Sequence, residues 1–289
     1  MSNTDLIIEE RSRDIGDFLV GRLIPFRKKR MVGPFIFIDH IGPTTIKPGT
    51  YLDIDQHPHI GLSTLTYLFE GEIQHQDSIG TNKHIKAGSV NWMTAGNGVT
   101  HTERTPKELR QGQQLSMHGY QIWVALPKDK EEMHPEFHHL DASELPKWND
   151  GAASFKLIAG KGYGKESPLP VHCHLFMIEI ETTDNYPLTI KDQLKGEIGF
   201  CIVEGSIDAC SQLIEKGNML ISKVEDACEL TINSNSKVLL FGGEAFPEER
   251  HIFWNFVSSD KQKIEAAKER WSNKNFPKVA NDDTYIPIP

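Results

Sequence analysis

The sequence has no long apolar run, no surplus of basic charge and only four cysteines. Its 31 Lys and Arg face 40 Asp and Glu, a formal net charge of -9. Phosphate recognition depends on clustered cations, so direct binding of nucleic acid or of an anionic membrane surface is not expected. The short basic stretch RKKR at 27 to 30 runs straight into MVGPFIFIDHIGP, which Gly33, Pro34 and Asp39 interrupt. That apolar segment is too short to cross a bilayer. The first residues, MSNTDLIIEERSRD, are acidic and lack the basic-then-apolar order of an export signal, which points to a cytoplasmic protein. Cys173, Cys201, Cys210 and Cys228 all lie in the second half without CxxC spacing. They read as reduced thiols packed as small core residues.

What is present is strand-forming sequence. From about 20 to 126, short apolar or alternating segments such as PFIFID, STLTYLFEGEIQHQD, SVNWMT and LSMHGYQIWVAL sit between Gly, Pro, Asn and Asp. This spacing predicts an all-β sandwich or barrel rather than βαβ units. Residues 127 to 151 are polar, carry three prolines and read as a connector with at most a helical turn. Strand signals then resume with ASFKLIAG, HLFMIEIETT, IGFCIVEGSI and KVLLFGG. The segment 258 to 271, with Ile264, Ala267 and Trp271 at helical spacing, predicts one helix. The two halves echo each other: YLFEGEI at 67 to 73 matches CIVEGSI at 201 to 207, and a Gly-ended turn follows at Gly88 and at Gly217. We therefore expect two similar β-domains, residues 1–135 and 136–289, with Gly71 and Gly205 at hairpin corners.

The chemistry lies in two short motifs. In HPHIG, His57 and His59 alternate along one strand and point to the same face. In THTERT, His101 and Glu103 do likewise, and a closed barrel can bring the two strands face to face. Three imidazoles and a carboxylate suit a divalent transition metal; open positions favour non-haem iron, while Mn, Ni, Cu and Zn are chemically admissible. Carrying the same offsets to Gly205 and Gly217 lands on Lys191, Gln193, Leu230 and Ile232, none a usual ligand. One metal, in the first half alone, is the expectation. Gln121, alternating with Trp123, is expected to line the pocket beside it. His172 and His174 read as a polar strand entrance, His134, His138 and His139 as solvated connector residues, and His75 and His84 as surface residues.

At VGPFIFID (32 to 39), HPHIG (57 to 61), YLFEGEIQHQDSIG (67 to 80), WMTAGNGVTHTE (92 to 103) and QIWVALP (121 to 127) the chain resembles the pirin family of the cupin superfamily. Its ending, ERHIFWNFVSSDKQKIEAAKERW, is similar to that of bacterial members. The resemblance implies a bicupin, two tandem jelly-roll-like barrels with a C-terminal helix. It implies one metal, Fe(II) first, held by His57, His59, His101 and Glu103, and a second domain without metal. General cupins carry an acidic residue shortly after the second histidine, where this chain has Ser63 and Thr64. Two functions follow from the resemblance. One is a quercetin 2,3-dioxygenase, acting on a flavonol-like aromatic with O2 and using Glu103 as general base. The other is a non-catalytic, iron-dependent redox sensor that binds a metabolic enzyme or transcription factor. A monomer is expected in either case.

Overall fold

Apolar residues recurring along short segments fold here as paired strands that close over buried apolar clusters. The computed structural model describes residues 4–14, 19–209, 211–222 and 230–289. The chain divides into two units. One is drawn from residues 1–11, 21–37 and 143–246, the other from 12–20, 38–142 and 247–289. Strand Thr4–Glu9 pairs with Asn218–Ser222, and the C-terminal residues 247–289 belong to the unit built on 38–142.

In the unit containing 38–142, strands Glu136–Leu140, Val90–Thr94, Leu62–Glu70, Leu115–Ala125 and the part of Phe35–Ile46 from Ile38 onward lie side by side in one sheet. A four-stranded sheet runs Asp53–His59, Val99–Arg104, Glu72–Asp77, Asn82–Lys86. Gly71 joins Leu62–Glu70 of the first sheet to Glu72–Asp77 of the second. It therefore marks a corner between sheets, not the hairpin expected from sequence. Its φ is +91°, and a Cβ there would lie 2.6 Å from the Ser116 carbonyl oxygen, so glycine is required on both counts. Gly205 marks the same change of sheet in the other unit, between Glu197–Glu204 and Ser206–Ala209.

That other unit has an apolar interior, with Phe155, Leu157, Phe176, Ile178, Phe200 and Ile202 among its buried residues. Leu230 and Ile232, the counterparts by offset of His101 and Glu103, belong to this core. Among the described residues, none of the groups able to hold a metal falls in this unit. Lys191 and Gln193, the counterparts of His57 and His59, are exposed.

The helix spans Lys261–Ser272, where Asp260 caps it by accepting from the Gln262 amide at 2.8 Å. Ile264, Ala267 and Trp271 are its buried face, as their spacing predicts. Two expectations need correction. The polar connector contains strands Glu136–Leu140 and Lys147–Asp150 beside a 3-10 turn at Lys128–Lys130; partner strands with unpaired edges recruit them despite their polarity. Of the cysteines, Cys201 is buried but Cys173 is only half-buried, at the approach to strand Leu175–Thr182. Cys210 and Cys228 lie outside the described residues.

Candidate metal centre

Strand pairing brings the two motifs together. Asp53–His59 and Val99–Arg104 run antiparallel, with His57 opposite His101 and an irregularity in register between His101 and Glu103. Residues from separate segments thereby share one face. At the end of the first strand, Gly61 has φ +68°, and a Cβ would sit 1.9 Å from the Val257 carbonyl oxygen. That close approach, with the Val257 amide donating to the Ile60 carbonyl at 3.2 Å, seats the histidine strand against Phe256–Ser258. On its other flank Gln56 is tied to the chain end: its side-chain amide donates to the carbonyls of Asp282 and Thr284, and its Oε1 accepts from the Val279 amide.

The imidazoles of His57, His59 and His101 are all buried, with ligand atoms within 4.8 Å of one another. Nε2 of His59 and Nε2 of His101 are 3.0 Å apart. His57 Nδ1 lies 2.8 Å from the Asp55 carbonyl oxygen, which can only accept, so the proton sits on Nδ1 and the Nε2 lone pair is left for a ligand. Burial holds the rings in the neutral form that a metal requires. It lowers the His57 pKa to about 4, against weaker opposition from the Asp55 carbonyl. His59 and His101 are held well below the ordinary histidine range, first by burial and then by the neighbouring His57. Two nitrogens each about 2.1 Å from one cation and at right angles lie about 3 Å apart, so the His59–His101 spacing suits cis ligands. The donor set fits a divalent transition metal.

Glu103 is buried beside the same ring. Burial raises its carboxyl pKa, while His75 and a hydrogen bond from Thr66 oppose the shift. The Thr66 hydroxyl stands 3.3 Å from Glu103 Oε1 and 2.9 Å from the Gln121 side-chain oxygen, linking the expected pocket residue to the carboxylate. Gln121 is half-buried and lies opposite Thr66 in the pairing of Leu62–Glu70 with Leu115–Ala125. Trp123, two residues on, sets its ring edge-on to His59 at 5.1 Å between centroids.

His75 is the main departure. It is buried at 2% exposure rather than on the surface. Its ring stacks on Phe137 and groups with His101 and Glu103 in a second set of ligand atoms within 4.8 Å. Alternation along EIQHQD is the signal that could have found it: Ile73, His75 and Asp77 all face inward. Among the described residues, no other histidine belongs to either of these two sets. His84 is half-buried against Glu72 at 2.6 Å, with Glu108 at 3.5 Å. His134 is exposed, but His138 and His139 are half-buried in strand Glu136–Leu140, where His139 pairs with Asn91 and Asp141. His172 and His174 line a cavity of about 1050 Å³ in the other unit, ahead of strand Leu175–Thr182.

A family model for pirin matches residues 18–124, and a second, for the pirin C-terminal cupin domain, matches residues 176–277. The chain belongs to the pirin family. It is 40% identical over 290 residues to a pirin-like protein of Caulobacter vibrioides, covering 99% of both chains. A Pseudomonas aeruginosa protein whose name carries a provisional quercetin 2,3-dioxygenase assignment is 34% identical, across 91% of this chain and 82% of that one. Among solved structures, a quercetin 2,3-dioxygenase from Acinetobacter baumannii superposes with a TM-score of 0.88 at 32% identity, covering 98% of this chain and 94% of that one. A bacterial pirin from Escherichia coli in complex with nickel(II) has a TM-score of 0.65 at 18% identity, covering 83% of this chain and 99% of that one, a likeness of fold. The all-β bicupin architecture with a C-terminal helix, expected from sequence, is thereby established. Among the described residues no helix is long and apolar enough to span a membrane.

Proposed function

We propose that this pirin is a metal-dependent dioxygenase that cleaves a flavonol-like ring with O2, in the manner of a quercetin 2,3-dioxygenase. The observation that carries this reading is the convergence of three buried, neutral imidazoles beside a buried carboxylate whose pKa is raised. The 32% identity to a solved quercetin 2,3-dioxygenase supports the choice of reaction. His57, His59 and His101 are the proposed imidazole ligands and Glu103 the fourth, with Fe(II) the first choice of metal and Mn, Ni, Cu or Zn admissible. When bound, such a metal supplies a Lewis acid that acidifies a hydroxyl group and a position at which O2 meets the substrate.

The protein's own groups do the rest. Burial raises the Glu103 pKa while a bound cation would lower it, so Glu103 takes the proton of a flavonol 3-hydroxyl only as a loosely held ligand. Thr66 has a single hydroxyl proton; given to Glu103 Oε1 it fixes the carboxylate, and the Gln121 amide then turns an N–H rather than its oxygen toward the same hydroxyl. Gln121 presents an amide next to the same hydroxyl, suited to orienting the substrate's polar edge. Trp123 and the surrounding apolar side chains exclude water, which strengthens each of these contacts.

The test is anaerobic loading with Fe(II) followed by oxygen uptake with quercetin, against Glu103→Ala loaded in the same way. Uptake well above that control is expected. Equal uptake would overturn the catalytic reading in favour of the redox-sensing binding protein introduced from the sequence.

A further inference from the structure

The proposed ligand His101 has two ring nitrogens, and only one can serve a metal shared with His57 and His59. Nε2 faces His59 at 3.0 Å, while Nδ1 faces Nδ1 of His75 at 3.3 Å. On the far side of the His75 ring, Nε2 lies 3.0 Å from Asp77 Oδ2. Asp77 is itself immobilised, because its Oδ1 accepts from the backbone amides of Ile79 and Thr81. Strand register lines up the series: His101 is opposite Asp77, and Glu103 is opposite His75. Phe137, stacked on His75 at 4.7 Å, holds that ring in plane.

The direction of each hydrogen bond follows from what each atom can do. An ionised carboxylate only accepts, so His75 Nε2 carries a proton toward Asp77. A neutral His75 then has a lone pair on Nδ1 and can only accept there. His101 must supply the proton from its own Nδ1, which leaves its Nε2 lone pair directed at His59 and His57. The opposite arrangement, with the proton on His75 Nδ1, would put a proton on His101 Nε2 and block ligation.

The geometry points to Asp77 and His75 as positioning residues that fix the ring and tautomer of the metal ligand His101. This rests on the ligand set proposed above. In metal sites, a ligating imidazole commonly gives its other N–H to an outer acceptor, and losing that partner costs about 10–100-fold in affinity. Here the outer acceptor is a second imidazole, oriented in turn by a carboxylate.

The decisive variant is Asp77→Asn. It preserves size and the oxygen that accepts from Ile79 and Thr81, but turns an N–H toward His75 Nε2 and so reverses the proton order along the series. Nickel(II) affinity, measured by titration calorimetry on the full chain, is expected to fall about 10–100-fold in Asp77→Asn and in His75→Leu. His75→Asn, which restores an oxygen acceptor near the position of Nδ1, is expected to recover part of the loss. A role that is only space-filling would favour Leu over Asn. Long-range proton–nitrogen NMR of the zinc(II)-loaded wild type is expected to show His101 protonated at Nδ1. Unchanged affinity in folded Asp77→Asn and His75→Leu, or a proton on His101 Nε2, would overturn the inference while leaving the ligand set standing. Complete loss of binding in both His75→Leu and His75→Asn would make His75 a ligand and would also overturn it. Wild-type protein that takes up neither metal would bring down the ligand set and this inference together.

Discussion

The Nε2 atoms of His59 and His101 face each other at 3.0 Å although 42 positions separate them in sequence. With both rings buried and held neutral, two lone pairs so close repel unless a cation or a proton lies between them.

Removing one of them should therefore empty the site. Replacing His101 with Ala is expected to reduce bound nickel(II) from one equivalent to a trace, measured by elemental analysis after dialysis. The wild type should show a higher melting temperature when loaded than after exhaustive EDTA treatment, because a ligand that binds only the folded state stabilises it. The His101→Ala variant should show no such difference.

The metal-free protein should weaken in mild acid. The folded His57 pKa, about 4, lies below the ordinary value of 6.5, so the unfolded chain takes up that proton first. Stability from this group is complete above pH 6.5, falls as the pH drops from 6.5 toward 4, and levels off below. His59 and His101, shifted the same way, should steepen the fall. Urea denaturation across this range, compared with His57→Ala, checks the sign: the variant should show a shallower slope.

The end of the chain should matter to the site. Gln56, only 3% exposed, bonds to Asp282, Thr284 and Val279 beside the two histidines of its strand. Gln56→Ala should cost about 1–3 kcal/mol in urea denaturation, because the backbone groups it serves are left buried. Nickel(II) affinity should fall with it, since the strand carrying His57 and His59 loses its brace.

A buried charge cluster gives the largest expected stability effect. Glu131 accepts from the Ser258 hydroxyl at 2.7 Å and the Ser259 amide at 2.6 Å, and lies 3.5 Å from the fully buried Arg250. Glu131→Ala should destabilise the protein by about 3 kcal/mol, because it leaves the buried Ser258 hydroxyl and Ser259 amide unserved and removes one of the two carboxylates beside the Arg250 guanidinium, which keeps Glu248 and the Leu126 carbonyl. Glu131→Gln, which keeps an acceptor, should cost less. Denaturant midpoints of the two variants decide the matter.

Much of the fold was legible because its signals are local. Period-two alternation and Gly punctuation marked the strands, and the spacing of Ile264, Ala267 and Trp271 marked the helix. His57, His59, His101 and Glu103 stood out because paired x-spacing on a strand puts side chains on one face. Offsets from the repeated Gly motifs led to Leu230 and Ile232, and both are core residues. His75 escaped notice because its motif, HQD, does not differ from an exposed polar strand until the pairing with Val99–Arg104 is known. The connector strands escaped for a similar reason: their polarity reads as loop, and only the edges they pair with make them strands.

The order of residues by itself determined the β-rich class, the family motifs, the capped helix and which imidazoles share a strand face, since each depends on neighbours a few positions apart. Only the tertiary structure decided that Gly71 turns between two sheets, that Gln56 is braced by the chain's end, and that Asp77, His75 and His101 form one series. Those relations depend on strand register and on contacts between distant segments, and such contacts acquire their geometry only when the whole unit has closed.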